Sequence, residues 1–240
     1  MPTRSLKTQP HKTRSAATLS LRTVEGKLLA ALREAISEAC GQGSLANLFS
    51  AARDFSKKVR ITVGFSGGRD SVALLKALCV LRDKRNSPIE DILAVHVHHA
   101  LSPNANKWAR FCRQTAEALG VNFKVAYVCV KSKGEGVEAA ARKARYEAIF
   151  KAAEAFDSHM VMTAHHQDDR LETFLIQWMR GAGVDGLATF PVARSVGAVK
   201  LVRPLMRLPR ELLERYLELN NLTWVEDESN ADTAYLRNAI

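Results

Sequence analysis

Two short stretches hold residue types that could do chemistry. The first is Ser66-Gly67-Gly68-Arg69-Asp70-Ser71. Its glycines permit φ > 0 and let an anion approach the backbone. Successive N–H groups in such a turn, ahead of the positive end of a helix dipole, suit phosphate. The second is His165-His166-Gln167-Asp168-Asp169-Arg170-Leu171-Glu172-Thr173. On a helix, Asp168 and Glu172 share a face, as do Asp169 and Glu172. Carboxylates grouped this way could bind Mg²⁺, which takes one or two protein carboxylates plus phosphate oxygens. They could also hold the ammonium group of an amine substrate. Acids at a helix N-terminus satisfy the dipole as well. Capping explains one or two acids, but not two histidines followed by three carboxylates.

Other chemistries share these residues. The Walker A pattern is absent, because no Lys follows the glycines. A nucleophile elbow, G-x-S-x-G, is literally present as Gly64-Phe65-Ser66-Gly67-Gly68, so a serine hydrolase using Ser66 is a competitor. That reading needs a later acid and His, and the histidines after Ser66 are His96, His98, His99, His159, His165 and His166. A zinc site from His96, His98, His99, His165 and His166 is the metal alternative, though no third-ligand spacing stands out. Gly181 to Gly186 matches G-x-G-x-x-G by spacing but follows a helical pattern, so the dinucleotide context fails. Arg142 and Arg145, three apart on a helix, could contact phosphate or pair with Glu138 and Glu147.

The elements that must position these stretches alternate. Arg60 to Phe65 reads as a strand, with β-branched Ile61, Thr62 and Val63. A helix follows from Asp70, with Val72, Leu74, Leu75 and Leu78 at apolar spacing. Ile92–His98 reads as a buried parallel strand, and 106–119 as a helix. Val121–Val130 is a third strand, 137–156 an alanine-rich helix, and 159–164 a fourth strand. A helix is expected over 167–179, a hairpin around Gly197 over 192–202, and a helix over 209–219. Before all of these, 23–40 reads as an amphipathic helix, and a short helix is expected over 45–55. The alternation implies βαβ units: an α/β, doubly wound parallel sheet with a small, mostly helical C-terminal segment. Ligands in such sheets sit at the carboxyl ends of the strands. The strands ending at Ser66, His98-His99 and His165-His166 should therefore meet at one edge.

Composition sets the class. The chain has 240 residues, 47% hydrophobic and 25% charged, which is that of a soluble globular protein. No apolar run approaches the ~20 residues of a membrane span. Cys40, Cys79, Cys112 and Cys129 form no C-x-x-C pair, which fits reduced thiols in a cytoplasmic protein. The net charge is +10, and half of it comes from Arg4, Lys7, Lys12, Arg14 and Arg22, ahead of the first acid, Glu25. Residues 1–22 are expected to be a disordered basic extension; a transit peptide is the alternative, and the stretch has no apolar core of a secretory signal. The basic excess in the body favours a polyanionic partner such as nucleic acid.

The turn Ser66–Ser71 resembles the PP-loop of the N-type ATP pyrophosphatases, of the adenine nucleotide alpha hydrolase-like fold. Six further blocks resemble the tRNA(Ile)-lysidine synthetases, in the same order: His96–Leu101, Glu138–Tyr146, Ala164–Thr173, Arg180–Gly183, Arg203–Leu205 and Trp224–Asn230. The resemblance runs from about Ile61 to Asn238. It implies a PP-loop ATP pyrophosphatase domain over 23–185 and a small helical or linker segment over 186–240. It also implies C-terminal tRNA-binding domains, which are expected to be missing here. The implied reaction joins free lysine to the cytidine at the first anticodon position of tRNA(Ile) bearing CAU, with ATP and Mg²⁺. The resemblance places ATP on Ser66, Gly67, Gly68, Arg69, Asp70, Ser71 and His98, and Mg²⁺ on Asp70 and Asp169. It assigns Asp70, Arg145, His165, Asp169 and Glu172 to catalysis, with Asp169 and Glu172 gripping lysine. Arg69 departs from the family, which commonly has an apolar residue there. A tRNA-thiolating enzyme is the rival within the superfamily, and it would need reactive cysteines. Oligomeric state stays open, with a homodimer one option.

Overall fold

The structure is a computed structural model that describes residues 19–41, 58–99, 102–129, 137–179, 181, 183 and 191–226. The helix expected over 45–55 lies outside these residues, as do most of the 180–186 loop and the acidic residues after Glu226. Helix α1 spans Leu21–Cys40, β1 Val59–Gly64, α2 Arg69–Arg82, β2 Ile89–His98, α3 Ala105–Ala118 and β3 Asn122–Tyr127. Then come α4 (Val137–Ala155), β4 (Met160–Met162), α5 (Gln167–Met179), β5 (Ala193–Val196), β6 (Val199–Val202) and α6 (Arg210–Leu219). Helix α1 starts before the expected Thr23 because Ser20 caps it, its Oγ accepting from the Thr23 N–H. The expected extension over 1–22 therefore gives up Leu21 and Arg22 to a helix.

The strands form one sheet in the order β3-β2-β1-β4-β6-β5. All neighbours are parallel except the β5–β6 hairpin. Period-two alternation sorts the side chains between two faces. Ile61, Val63, Ile92, Ala94, Met160 and Met162 face a core built with Leu28 and Leu32 of α1, Leu74 and Leu78 of α2, and Leu213 and Leu217 of α6. Cys112 and Ala116 bring α3 to the same face. Leu93, Val95, Val161, Val199 and Leu201 face the other way, onto Ile149, Ala152 and Ala153 of α4. Right-handed crossovers explain this: β1→β2→β3 steps one way and keeps α2 and α3 together, whereas α4 carries the chain back across to β4.

The boundary expected between 185 and 186 does not coincide with a break in this sheet. Strand β6 pairs in parallel with β4 through Met160–Lys200, Val161–Leu201 and Met162–Val202. The hairpin turns at Gly197, φ +59°. Residues 193–219 thus complete the sheet and its helical layer instead of forming a separate helical segment. The cause is hydrophobic: all of Val199–Val202 is buried, as a strand covered on both faces requires.

The topology reverses between β1 and β4, since β2 and β3 lie on one side of β1 and β4 and β6 on the other. A crevice opens at the carboxyl ends of two strands that flank such a reversal. Beyond β1 lies the glycine turn, and beyond β4 lies His165-His166.

Candidate active site

Strand β1 gives way to the turn at Phe65, whose N–H bonds Val95 O at 2.8 Å. Gly67 takes φ +85°. The two serines organise the turn. Ser71 Oγ donates to Gly68 O at 2.8 Å and accepts from Gly67 N–H at 3.1 Å. Ser66 Oγ lies 3.1 Å from Ser71 Oγ and accepts from Gly68 N–H at 3.2 Å. Ser71 has spent its one proton on Gly68 O, so Ser66 donates to Ser71. Gly68 is the N-cap of α2 and brings no side-chain cap. The positive end of α2 is therefore left to a ligand, as a phosphate site needs.

Strand β4 delivers the second stretch. His166 caps α5 in a capping-box arrangement. Its Nδ1 accepts from Asp168 N–H at 3.2 Å, and Asp169 Oδ2 accepts from His166 N–H at 2.9 Å. With Nδ1 used as acceptor, the ring proton of the neutral form sits on Nε2. That nitrogen lies 3.6 Å from Asp70 Oδ2 and 3.5 Å from Asp169 Oδ2. Burial disfavours the charged ring, but the hydrogen bond to Asp70 and the charges of Asp169, Asp70 and Asp168 outweigh it and raise the His166 pKa. One imidazole thus joins a carboxylate from α2 to one from α5. Asp70 Oδ1 is buried with no hydrogen-bond partner.

The other expected residues make contacts of their own. His165 Nδ1 is 2.9 Å from Thr163 Oγ1. Glu172 is half-buried one turn along α5 from Asp169. Arg145, on α4, donates from Nε to His99 Nε2 at 3.5 Å. Burial, then Arg145 and two neighbouring histidines, push the His99 pKa down to about 4, so the ring is a neutral acceptor. The side chain of Arg69 is held by an ion pair with Glu214 and lies 5.9 Å over the Trp224 ring. His98 lies 3.1 Å from Asn106 Oδ1 through Nε2 and 5.0 Å from the Tyr127 ring.

Reading the sequence alone assigns His165 to catalysis and names His166 only as a metal or hydrolase alternative. The available signal was its spacing: a polar residue three before an acid, at the mouth of a helix, is a capping pattern. The competing chemistries find little support. Among the described residues Ser66 Oγ hydrogen-bonds Ser71 and Gly68, and no histidine. Among the described residues no group of three or more His, Cys, Asp or Glu is arranged to hold a metal ion. Burial pushes the Cys112 thiol up to about 12, and those of Cys40 and Cys79 to about 11. Thiols held protonated are poor nucleophiles.

A family model described as a PP-loop domain matches residues 39–240. The chain belongs to the PP-loop family. Among curated proteins, this PP-loop chain is 48% identical over 180 residues to the tRNA(Ile)-lysidine synthase of Chromobacterium violaceum, covering 74% of this chain and 40% of that protein. It is 41% identical over 196 residues to the tRNA(Ile)-lysidine synthase of Histophilus somni, covering 82% and 45%. The chain thus spans 40–45% of the length of these relatives. Among solved structures, the U34-tRNA thiolase NcsA from Methanococcus maripaludis, with its 4Fe–4S cluster, matches at a TM-score of 0.67 and 15% identity. It covers 86% of this chain and 66% of that one, and the likeness is one of fold. No helix among the described residues is long and apolar enough to cross a membrane.

Proposed function

We propose that this chain is the ATP-using domain of a tRNA(Ile)-lysidine synthase, working in the cytoplasm. It joins free lysine to the cytidine at the first anticodon position of tRNA(Ile) bearing CAU, and releases AMP and pyrophosphate. The observation that carries this reading is the meeting of the uncapped glycine turn with Asp70, His166 and Asp169 at the topological switch point. The lysidine assignment is supported by the similarity to lysidine synthases at 41–48% identity.

The chemistry follows from the leaving groups. Cytosine O2 departs poorly from C2, so it first attacks the ATP α-phosphate and pyrophosphate leaves. The lysine ε-amine then attacks C2, AMP departs with the oxygen, and the amine proton is released. Backbone N–H groups of the turn stabilise charge that builds on the departing pyrophosphate. Ser66 and Ser71 preset that turn. Asp169 and Glu172 hold the lysine ammonium, Arg145 binds a phosphate or the lysine carboxylate, and His165 lies beside the reacting base. An unpaired anticodon loop presents its base without the cost of opening a duplex.

Mg²⁺ fits here on one structural ground. Asp70 Oδ1 is a buried carboxylate oxygen without a partner, and Asp169 flanks the same imidazole. Two carboxylates plus phosphate oxygens make a Mg²⁺ donor set. Asp70 and Asp169 would hold the ion, which when bound neutralises phosphate charge.

The test is ATP cleavage with Mg²⁺, with and without lysine and a CAU-anticodon tRNA(Ile) transcript, beside Asp70→Ala. AMP and pyrophosphate forming with tRNA, lysine incorporated and the variant at least 100-fold slower is the expected outcome. Absence of ATP binding by the wild-type chain overturns the reading.

A further inference from the structure

Residues 220–226 leave α6, and Val225 among them packs against the glycine turn. Val225 N–H donates to Gly67 O at 3.0 Å. The Val225 Cγ2 atom lies 3.1 Å from where a Cβ on Gly67 would stand, and Val225 O lies 3.9 Å from the same point on Gly68. The amide plane sets the Gly67 carbonyl and the Gly68 N–H in opposite directions. Holding the carbonyl against Val225 therefore aims Gly68 N–H the other way, onto Ser66 Oγ. The strap fixes the orientation of a peptide in the turn.

The strap is fastened by Arg69. This residue sits immediately after the turn, at the first position of α2. Its guanidinium lies 5.9 Å over the Trp224 ring, one residue from Val225, within cation–π range. Its Nη1 pairs with Glu214 of α6, which also pairs with Arg210 at 3.4 Å. Its Nε is buried without a hydrogen-bond partner, so the guanidinium is held by one edge and one face. Trp224 packs half-buried on the main core. An apolar residue at position 69 could pack on the ring but could not tie α6, the ring and the turn together.

We infer that Arg69 is a positioning residue for pyrophosphate. By pinning Trp224, and through it Val225, it holds the Gly67–Gly68 peptide on Ser66 Oγ, and so fixes the turn and the first residues of α2 in the arrangement that receives the ATP β- and γ-phosphates. The inference rests on the proposed ATP chemistry at this turn. Its consequence is selective: losing Arg69 weakens ATP and pyrophosphate, and leaves lysine binding and the bound-state rate alone.

The experiment compares wild type with Arg69→Leu, Arg69→Lys and Trp224→Phe, all as the full chain. Two readouts are needed: ATP and pyrophosphate affinity by calorimetry, and amide exchange of the 222–226 peptide. Arg69→Leu should weaken both ligands about five- to tenfold, from the typical worth of one cation–π contact and one partly exposed ion pair. Val225 exchange should rise by a similar factor, with α1 and β2 unchanged. Arg69→Lys restores a cation and should recover most of the affinity. Trp224→Phe keeps a weaker ring and should fall between. KM for ATP should rise with kcat and the lysine KM unchanged. If wild type binds no ATP, the underlying ATP reading has failed. If wild type binds ATP and Arg69→Leu binds it equally, the positioning role is overturned, whether or not Val225 exchange rises.

Discussion

Gly67→Ala tests the architecture of the turn most directly. The substitution meets two obstacles. Gly67 sits at φ +85°, where an L side chain crowds its own backbone at about 1–2 kcal/mol. The new methyl would also stand 2.7 Å from Cys112 Sγ, 3.1 Å from Val225 Cγ2 and 3.3 Å from Phe111 Cδ1. The first distance is closer than nonbonded atoms tolerate, and overpacking of this kind costs about 1–3 kcal/mol. Together the two give about 2–5 kcal/mol, against a typical total of about 5–15 kcal/mol. For a chain this long, roughly 2–4 °C is lost per kcal/mol, so Tm should fall by roughly 4–20 °C. The assay is thermal unfolding followed by far-UV circular dichroism, with urea midpoints alongside. Adding Cys112→Ala separates the causes. It removes the sulfur in the way and should return about 1 kcal/mol in a double-mutant cycle, while the backbone cost remains. A Gly67→Ala Tm within 2 °C of wild type would refute both the positive φ and the packing of α3 and Val225 on the turn.

Tyr216 is fully buried and its hydroxyl has no hydrogen-bond partner, so Tyr216→Phe should raise the urea-derived stability by about 1 kcal/mol; a loss of that size would mean the hydroxyl is satisfied. Thiol titration of the native chain at pH 8 should label exposed Cys129 and spare Cys40, Cys79 and Cys112 until denaturant is added. Because burial raises the folded-state pKa of those three to about 11 or 12, their contribution to stability is complete below pH 9 and declines as pH rises through that range. A urea midpoint unchanged from pH 8.5 to pH 10.5 would contradict this. His99 works in the opposite direction: its folded pKa is lowered to about 4, so its contribution is present above pH 6.5 and is lost as pH falls towards 4. His99→Gln should flatten that part of the stability–pH curve, measured against wild type between pH 7 and 4.5.

Local pattern in this chain carried far. The β-branched run before Ser66, the apolar spacing after Asp70 and the apolar stretch ending at His98 are each decided by neighbours within one turn or one pleat. They sufficed to place every described element to within about three residues. Even the His165–Thr173 helix start could be read, because acids at a helix mouth answer to the dipole of that same helix.

What the sequence could not supply is which of these pieces touch. Val199–Val202 reads as half of a hairpin, and only its parallel pairing with β4 makes it part of the central sheet. His165 and His166 are equivalent as letters; the exit angle of β4 sends one to Thr163 and the other between Asp70 and Asp169, 99 positions apart in the chain. Arg69 reads as a charge beside a phosphate loop, yet α6, 145 residues on, supplies the carboxylate that holds it. Helix and strand propensity are short-range and are written in the order of residues. The site depends on contacts between elements remote in sequence, fixed when burying both faces of the sheet brings the ends of β1 and β4 side by side.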